Sequence, residues 1–212
     1  MNTDLEAIFH VMDVQRHAKG FLSISETMAL SEKGNVLLDP FSILISKAVT
    51  IGSGNLFYPG VVIEAQSGCK LEIGDENTFY SQSNFLAGPG RLTIGNRNQF
   101  GEGGVSIKSN GNDTNIVIGN HGRFVNGVQV FGNTILGDGS QLIGGQLTIQ
   151  DCQLEGGESY SFNDPDYRGA VIKGFGVARN LVIGKGKVLN GQGAFNQQNV
   201  QDQSFYHPKK EK

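Results

Sequence analysis

The sequence has no tryptophan, only 5 prolines and only 2 cysteines among its 212 residues. So few prolines exclude a collagen-like chain, which needs abundant proline besides periodic glycine. The two cysteines, Cys69 and Cys152, are far apart and form no C-x-x-C metal or redox motif. The N-terminus shows no basic stretch followed by an apolar one, as a secretory signal requires. We therefore expect a cytoplasmic protein with two reduced thiols.

Charge and long apolar runs are also scarce. Charged residues make up 17% of the chain and the formal net charge is −3, which argues against a broad basic surface for nucleic acid. No run approaches the ~18 apolar residues that a membrane span requires. Hydrophobic residues still make up 38% of the chain, enough to form a core. The composition thus predicts one globular domain with neither nucleic acid nor membrane as partner.

Glycine, by contrast, is abundant, with 31 residues, about twice the usual ~7% share. Much of it belongs to a repeat, apolar-x-Ile-Gly-x-x-Asn/Gly-x-Phe, seen in VTIGSGNLF, LEIGDENTF, LTIGNRNQF and IVIGNHGRF. The isoleucine anchors follow one another at intervals of 22, 21 and 24 residues: Ile51, Ile73, Ile94 and Ile118. A later copy, LVIGKGKVL, begins at Leu181. A repeat of this period predicts a solenoid.

A shorter period of six lies inside the long one. Apolar residues recur at this interval in two runs, which are Ile118, Phe124, Val130, Leu136 and Leu142, and Val171, Val177, Ile183, Leu189 and Phe195. Six is neither the helical period nor the alternation of a simple strand. It fits a triangular coil in which each six-residue unit forms one short strand and one turn. Stacked coils then pair as parallel strands about 4.8 Å apart.

The residues that exceed the six-residue pattern fall in a few places. Three short excesses, at 64–70, 86–91 and 108–115, each follow the same unit of a coil, so we expect them to leave from one corner. A longer polar and aromatic insertion spans residues 155–169. Because long loops in compact domains often carry function, this insertion is a candidate for the substrate site.

The two ends differ from the repeat. Residues 1–35 are predicted to form an N-terminal helix and lead-in cap, with a helix over residues 4–19. Its apolar face of Leu5, Ile8, Phe9 and Met12 would cover the open end of the solenoid. The solenoid would span residues 36–195. The polar C-terminal tail, residues 196–212, is expected to fray or to cross to a neighbour.

With these anchors and this spacing, the chain resembles the bacterial hexapeptide-repeat transferases over residues 36–195. The resemblance implies an all-β fold, a single-stranded left-handed parallel β-helix with a short N-terminal helical cap. It also implies a homotrimer with sites between subunits. A right-handed β-helix stays open, because Asn55, Asn77 and Asn98 recur at the interval of an asparagine ladder.

The same resemblance implies an activity, the transfer of an acyl group from acyl-CoA to a hydroxyl or amine of a small, sugar-like acceptor. It suggests His121, the histidine within the coils, as the general base. The segment around IGKGKVL resembles the closing coil of the family. Arg179, Lys185 and Lys187 would then contact the phosphates of CoA.

The insertion is predicted to wall the acceptor pocket against a neighbouring subunit. The side chains expected to do so are Glu158, Asp164, Asp166, Tyr167 and Arg168.

Three other functions are weighed against acyl transfer. A non-catalytic scaffold or binding module uses the same coils without a base. A γ-class carbonic anhydrase needs three histidines on its metal, and since the coils carry only His121 we expect no metal. A polysaccharide-active right-handed β-helix needs converging carboxylates, and the spacing of Asp75, Glu76, Asp113 and Asp151 indicates no such pair.

Overall fold

The structure is a computed structural model that describes residues 2–208, with side chains from residue 6 onward. Two helices open the described chain, α1 (Asn2–Ala18) and α2 (Ile24–Ala29), and a 3₁₀ turn, Leu30–Lys33, follows. Further 3₁₀ turns are Pro165–Tyr167, Gln197–Asn199 and Gln203–Phe205. In this part of the chain no helix is long and apolar enough to cross a membrane.

Short strands make up most of the rest. The first eleven are β1 (Val36–Leu37), β2 (Leu44–Ile45), β3 (Val49–Ile51), β4 (Leu56–Phe57), β5 (Val62–Ala65), β6 (Leu71–Ile73), β7 (Thr78–Phe79), β8 (Asn84–Ala87), β9 (Arg91–Ile94), β10 (Gln99–Gly101) and β11 (Val105–Ser109). The others are β12 (Asn115–Ile118), β13 (Arg123–Val125), β14 (Val128–Phe131), β15 (Thr134–Leu136), β16 (Gln141–Ile143), β17 (Leu147–Gln150), β18 (Gln153–Leu154), β19 (Val171–Arg179), β20 (Val182–Ile183), β21 (Lys187–Ala194) and β22 (Val200–Asp202).

These strands stack into three parallel faces around one core. The first face holds β1, β4, β7, β10, β13 and β16, and the second holds β2, β5, β8, β11, β14 and β17. The third is a 7-stranded sheet that runs from β3 to β20. The long strands β19 and β21 pass from the first face into the second and join the two. The coils thus form an all-parallel solenoid, the left-handed parallel β-helix that the resemblance implies, and the right-handed alternative is wrong.

A column of phenylalanines fills the core behind the first face. The rings of Phe57 and Phe79 stack with centroids 4.9 Å apart and planes 2° apart, and Phe100 and Phe124 continue the column at 5.2 and 5.3 Å. Phe85 from the second face meets two of these rings edge-on. All five side chains are buried. The six-residue spacing therefore produces a ladder in which each coil repeats the packing of the coil below.

A second ladder, of asparagines, runs up the corner between the third and first faces. The Asn77 side chain donates to Asn55 Oδ1 at 3.0 Å and to the Gly95 carbonyl at 2.9 Å. Its own Oδ1 accepts from the backbone and side-chain amides of Asn98, at 2.9 and 3.0 Å. The ladder begins at Asn35 and ends at the backbone amide of Gly122. It satisfies buried turn amides that no strand can reach, which such groups require.

The three short excesses leave from one corner, as the repeat predicts. They connect β5 to β6, β8 to β9 and β11 to β12, so each joins the second face to the third. The long insertion instead connects β18 to β19, at the corner between the third and first faces. Its position is what places it beside the outer surface of the first face.

The register of the last coils differs from the six-residue expectation. Leu142 pairs with Ile172, and Ile149 pairs with Ala178, so these two residues face the core in place of Val171 and Val177. The shift occurs where β19 turns a corner without interruption. Gly174 and Gly176 make that turn with φ of +120° each, a conformation that side chains disfavour.

The N-terminal cap also differs from the expectation. On α1, Ile8 is 54% exposed and Phe9 39%, so the predicted apolar face does not cover the core; the side chain of Leu5 lies outside the described residues. Leu22 and Leu30, which flank the shorter α2, pack against the core instead, while α2 itself buries Ile24 and Thr27. It starts with a capping box, in which Ser23 and Glu26 each accept from the other's backbone amide.

The C-terminal tail does not fray over its described part. Strand β22 pairs antiparallel with β21, and Leu189 lies opposite Val200. The Gln203 side chain is buried and donates to the Gly169 carbonyl at 2.8 Å. The tail thus folds back over the first face and contacts the base of the long insertion.

The asparagine ladder leads to a stability prediction. Asn77→Ala removes two donated and two accepted hydrogen bonds from a buried corner, and each buried group left unsatisfied costs about 1–3 kcal/mol. We expect a loss of about 2–4 kcal/mol in the free energy of unfolding, measured by urea denaturation. Asn84→Ala, at an exposed strand position, is the control and should stay within about 0.5 kcal/mol of the parent. Equal stability of the two variants would contradict the role of the ladder.

Candidate functional site

The long insertion and the tail enclose a pocket on the outer surface of the first face. The pocket has a volume of about 280 Å³. Its floor is the outward-facing row of the last coils, where Gln141 and Ile143 of β16 lie beside Val171 and Lys173 of β19. The Val188 side chain of β21 completes the floor. The parallel stacking of coils thus sets the floor, and the two added segments supply the walls.

Four basic side chains line this pocket, and none of its described lining residues is acidic. They come from three separate parts of the chain: Arg123 and Lys173 from strands, Arg168 from the insertion, and His207 from the tail. Among the described residues, one carboxylate forms an ion pair with one of these four groups: a Glu102 oxygen lies 3.5 Å from Arg123 Nη2. The pocket therefore has an excess of positive charge in a chain whose formal net charge is −3.

Two tyrosines hold the cations of the strands. The Lys173 ammonium lies 3.5 Å from the centroid of the Tyr206 ring, and the Arg123 guanidinium lies 5.7 Å from that of Tyr160. A cation over an aromatic face is attracted by the ring quadrupole, which orients the charge without neutralising it. The Tyr206 hydroxyl donates to the Gln201 side chain at 2.6 Å and so fixes its own ring.

Two buried amides complete the lining. Gln203 is anchored through its side-chain amide, which donates to the carbonyls of Gly169 and Lys187. Gln141 is only 7% exposed, yet no residue in the described part of the chain forms a hydrogen bond with its side chain. Gln141 lines the pocket and its amide atoms are not buried away from it, so they are available to a bound molecule or to water.

An open groove adjoins the pocket at the corner between the first and second faces. It has a volume of about 550 Å³ and shares Ile143 and Lys173 with the pocket. Its bed is glycine backbone, including Gly144 and Gly174, and its rim carries the 56% exposed ring of Phe175. A Cβ on Gly144 would lie 1.7 Å from the Gly174 carbonyl oxygen, so the coils can approach this closely only with glycine there.

The predicted residues of the insertion have different surroundings. Arg168 lines the pocket, and its guanidinium donates to the Phe162 carbonyl at 2.8 and 2.6 Å. Glu158 and Arg168 pair through their backbones in an isolated parallel β-bridge. Tyr167 is exposed, and the Lys185 ammonium lies over its ring.

The two predicted aspartates of the insertion take part in its own folding. Asp164 caps the 3₁₀ turn Pro165–Tyr167 by accepting from the Asp166 amide. Asp166 accepts from the backbone amide of Ser204 at 3.3 Å, which ties the insertion to the tail. Both segments that wall the pocket are therefore joined to each other.

His121, the predicted base, lies outside this pocket. It is exposed at the corner between the third and first faces, has φ of +56°, and its backbone amide donates to the Asn96 carbonyl. It shares a shallow polar groove with Glu76 and Arg97. The hydrogen bond from Arg97 holds the pKa of the Glu76 carboxyl below its usual value.

The three predicted phosphate contacts do not converge within one subunit. Arg179 ends β19 at the corner between the second and third faces. Lys185 and Lys187 lie at the corner between the third and first. The Lys187 ammonium pairs with Asp202, whose hydrogen bond raises the pKa of that lysine. Of the predicted site residues, only Arg168 lines the pocket. The other residues of the pocket lining were not predicted from the sequence.

The structure adds little that favours other chemistry. Cys152 is buried, and burial raises the pKa of its thiol, which disfavours the nucleophilic thiolate. Among residues 2–208, no group of three or more His, Cys, Asp or Glu side chains is arranged to hold a metal ion.

Sequence reasoning missed Arg123, Gln141, Lys173, Tyr206 and His207. The six-residue period could have indicated part of this set, because Arg123 and Gln141 each precede an inward anchor and must face outward. The tail residues carried no such signal. Their place depends on β22 pairing with β21, which no repeat predicts.

The contact of Gln203 with the insertion base can be tested in solution. Gln203→Ala removes the donor to the Gly169 carbonyl and should loosen the tail. Hydrogen exchange at the β22 amides should accelerate by on the order of tenfold or more. Gln198→Ala, at an exposed position of the same tail, should leave exchange unchanged. Equal protection of β22 in both variants would show that Gln203 does not hold the tail.

Comparisons with known proteins find only low sequence similarity to this chain. The sequence matches no protein-family model and no curated protein. Among solved structures, LpxA, a UDP-N-acetylglucosamine acyltransferase from Bacteroides fragilis, is 20% identical with a TM-score of 0.49. The match covers 76% of this chain and 58% of LpxA. PerB from Caulobacter crescentus, whose structure holds CoA and GDP-perosamine, is 14% identical with a TM-score of 0.24, over 70% of this chain and 54% of its own.

Similarity at this level transfers neither residues nor substrates, and the chain spans little more than half the length of either structure. The fold rests on the chain's own features, which are the six-residue anchors, the three parallel faces and the two inward ladders. The chain therefore has the left-handed parallel β-helix fold, built on its own six-residue repeat.

Proposed function

We propose that this protein transfers an acyl group from an acyl-CoA thioester to a small acceptor bound in the basic pocket. One observation carries the proposal: an enclosed pocket and an open groove meet along Ile143 and Lys173. A transfer between two substrates needs such adjacent sites, because holding both in reacting geometry supplies much of the rate. The hexapeptide-repeat fold, which hosts acyltransferases, agrees with it.

The groove suits the acyl donor better than the pocket does. It is open to solvent and about twice the volume of the pocket, so a long, flexible chain can lie along its glycine bed. The exposed Phe175 ring offers an apolar contact at the rim. The phosphates of CoA would then lie beyond the groove. The predicted contacts Arg179, Lys185 and Lys187 remain part of the proposal for a site completed by a second copy of the chain.

The reaction requires one general base and one thioester that donates the acyl group. The acceptor's O–H or N–H loses its proton to the base as its oxygen or nitrogen forms a bond to the acyl carbon. The C–S bond breaks and the CoA sulfur takes up a proton. His207 is the histidine that lines the pocket, so we assign it the role of base for an acceptor held there.

His121 remains a predicted base only for a site that more than one copy of the chain would form. Its exposed corner has neither the walls nor the basic lining of the pocket, so within one subunit it contacts no enclosed site. In a homotrimer, which is also a proposal, a neighbouring subunit would have to supply those walls. The cytoplasmic location of the protein belongs to the same set of proposals.

A binding module without catalysis is the second candidate, and one observation favours it. The histidine within the coils lies outside the pocket, and the pocket histidine belongs to the tail instead of the rigid coils. A protein that only binds an anion needs no base at all.

Histidine substitutions distinguish these possibilities. With acyl-CoA and a panel of small acceptors, release of the CoA thiol is followed by its reaction with an aromatic disulfide. His207→Ala should lower kcat/KM by about 100-fold or more, because loss of a general base typically costs this much. His121→Ala should keep the parent rate. His10→Ala, at an exposed helix position, is the matched control.

Two outcomes would contradict the proposal. A loss of activity confined to His121→Ala would identify His121, in the shallow polar groove with Glu76 and Arg97, as the base and contradict our assignment. No turnover by the parent with any acceptor, together with retained binding of an anion, would favour the binding module. Because Cys69 is a partly exposed free thiol that would compete for the aromatic disulfide, Cys69→Ser serves as the parent in this assay.

A further inference from the structure

The arrangement of polar groups in the pocket, together with its positive charge, indicates which kind of ligand it binds. Basic groups converge from three segments of the chain, while the floor offers the Gln141 amide, which no described residue bonds. Together they describe a ligand with an anionic end and a hydroxylated body.

The amide of Gln141 is the more specific of these features. It lies on β16 between Arg123 of β13 and Val171 of β19 in the outward row of the first face. The insertion and the tail bury the side chain to 7% exposure without providing it with a hydrogen-bond partner among the described residues. Since a side-chain amide both donates and accepts, it matches a hydroxyl or a pair of adjacent hydroxyls.

The basic groups indicate a strong negative charge. Arg123, Arg168 and Lys173 each present a basic group, and among the described residues only Arg123 has a carboxylate within ion-pair distance. Tyr206 and the Phe162 carbonyl fix two of these cations but leave their charge unneutralised. A phosphate monoester has about −1.5 to −2 charges at pH 7 and three acceptor oxygens, which suits several separate donors better than a single carboxylate does.

The size of the pocket limits the body of the ligand. A volume of about 280 Å³ lies at the lower end of the ~300–1,000 Å³ of small-molecule sites. It accommodates a monosaccharide with one phosphate, whereas a nucleotide sugar or CoA is too large to be enclosed. Each of the two tyrosine rings already has a cation over one face.

We propose that the pocket binds a phosphorylated monosaccharide, with the phosphate held by Arg123, Arg168 and Lys173 and a hydroxyl of the ring held by Gln141. That this ligand is the acyl acceptor rests on the proposed function. Its binding does not, because the site is built from groups that recognise the molecule without reacting with it.

Calorimetric titration of the full chain tests the binding. The probes are glucose 1-phosphate, glucose 6-phosphate and N-acetylglucosamine 1-phosphate, compared with inorganic phosphate, glucuronate and free glucose. We expect at least one sugar phosphate to bind at least tenfold more tightly than inorganic phosphate or free glucose. Glucuronate distinguishes a carboxylate from a phosphate as the anionic end.

Two substitutions connect the binding to the named groups. Gln141→Leu keeps the volume of the side chain and should weaken the sugar phosphate by about tenfold while leaving inorganic phosphate unchanged. Lys173→Met should weaken both by roughly 10- to 100-fold. Gln129→Leu and Lys108→Met, on the outer surface of the second face, are the matched controls and should bind as the parent does. Thermal unfolding of each variant confirms that it is folded.

The results separate the two proposals. A sugar phosphate that binds and loses affinity in both pocket variants supports the inference, even if no acyl transfer is found. Binding that both pocket variants leave unchanged overturns it, and so does a preference for glucuronate or equal affinity for inorganic phosphate. Acyl transfer to an acceptor unaffected by these variants would uphold the function and overturn the inferred site.

Discussion

The structure depends on one constraint, the need to satisfy buried backbone groups at the corners of a very narrow core. A coil of short strands must turn three times, and each turn leaves amides that no neighbouring strand can pair. At the corner between the third and first faces the asparagine ladder from Asn35 to Asn98 supplies those partners and bonds the first coils to one another. The phenylalanine column packs directly beside it. Hydrogen bonding and packing thus repeat with the same period, which keeps the stack in register.

This regularity determines where variation is tolerated. Extra residues inside a strand would shift every inward side chain, so the insertions are confined to corners. The long insertion leaves from the corner beside the first face and folds over the outer surface of the last coils. A flat, solvent-facing sheet thereby acquires walls without any change in its core. The pocket follows from a rigid floor and two adaptable segments.

The walls also explain why the outward row is unusual. Aliphatic residues on the outer side of other strands, such as Ile135 and Val182, are exposed, whereas here Val171 and Val188 are buried in the pocket floor. The same cover buries Gln141 and surrounds it with cations. The amide of Gln141 is accessible from the pocket and can bond a bound molecule. The site therefore combines the rigidity of the coils with an amide that no described residue occupies.

Much of the fold was predictable from the sequence, because a narrow core accepts only large apolar side chains at one spacing and small or turn-forming ones at another. The anchors from Ile51 to Leu142, the corner of the short excesses and the helical start of the chain all follow from that local rule. The tertiary structure alone decided the register of β19, where two glycines let a strand pass a corner. It also decided the fold-back of the tail and the meeting of Arg123, Arg168, Lys173 and His207. A periodic sequence specifies what each residue faces within its own coil, but contacts between an insertion, a tail and a distant strand depend on how the completed solenoid brings them together.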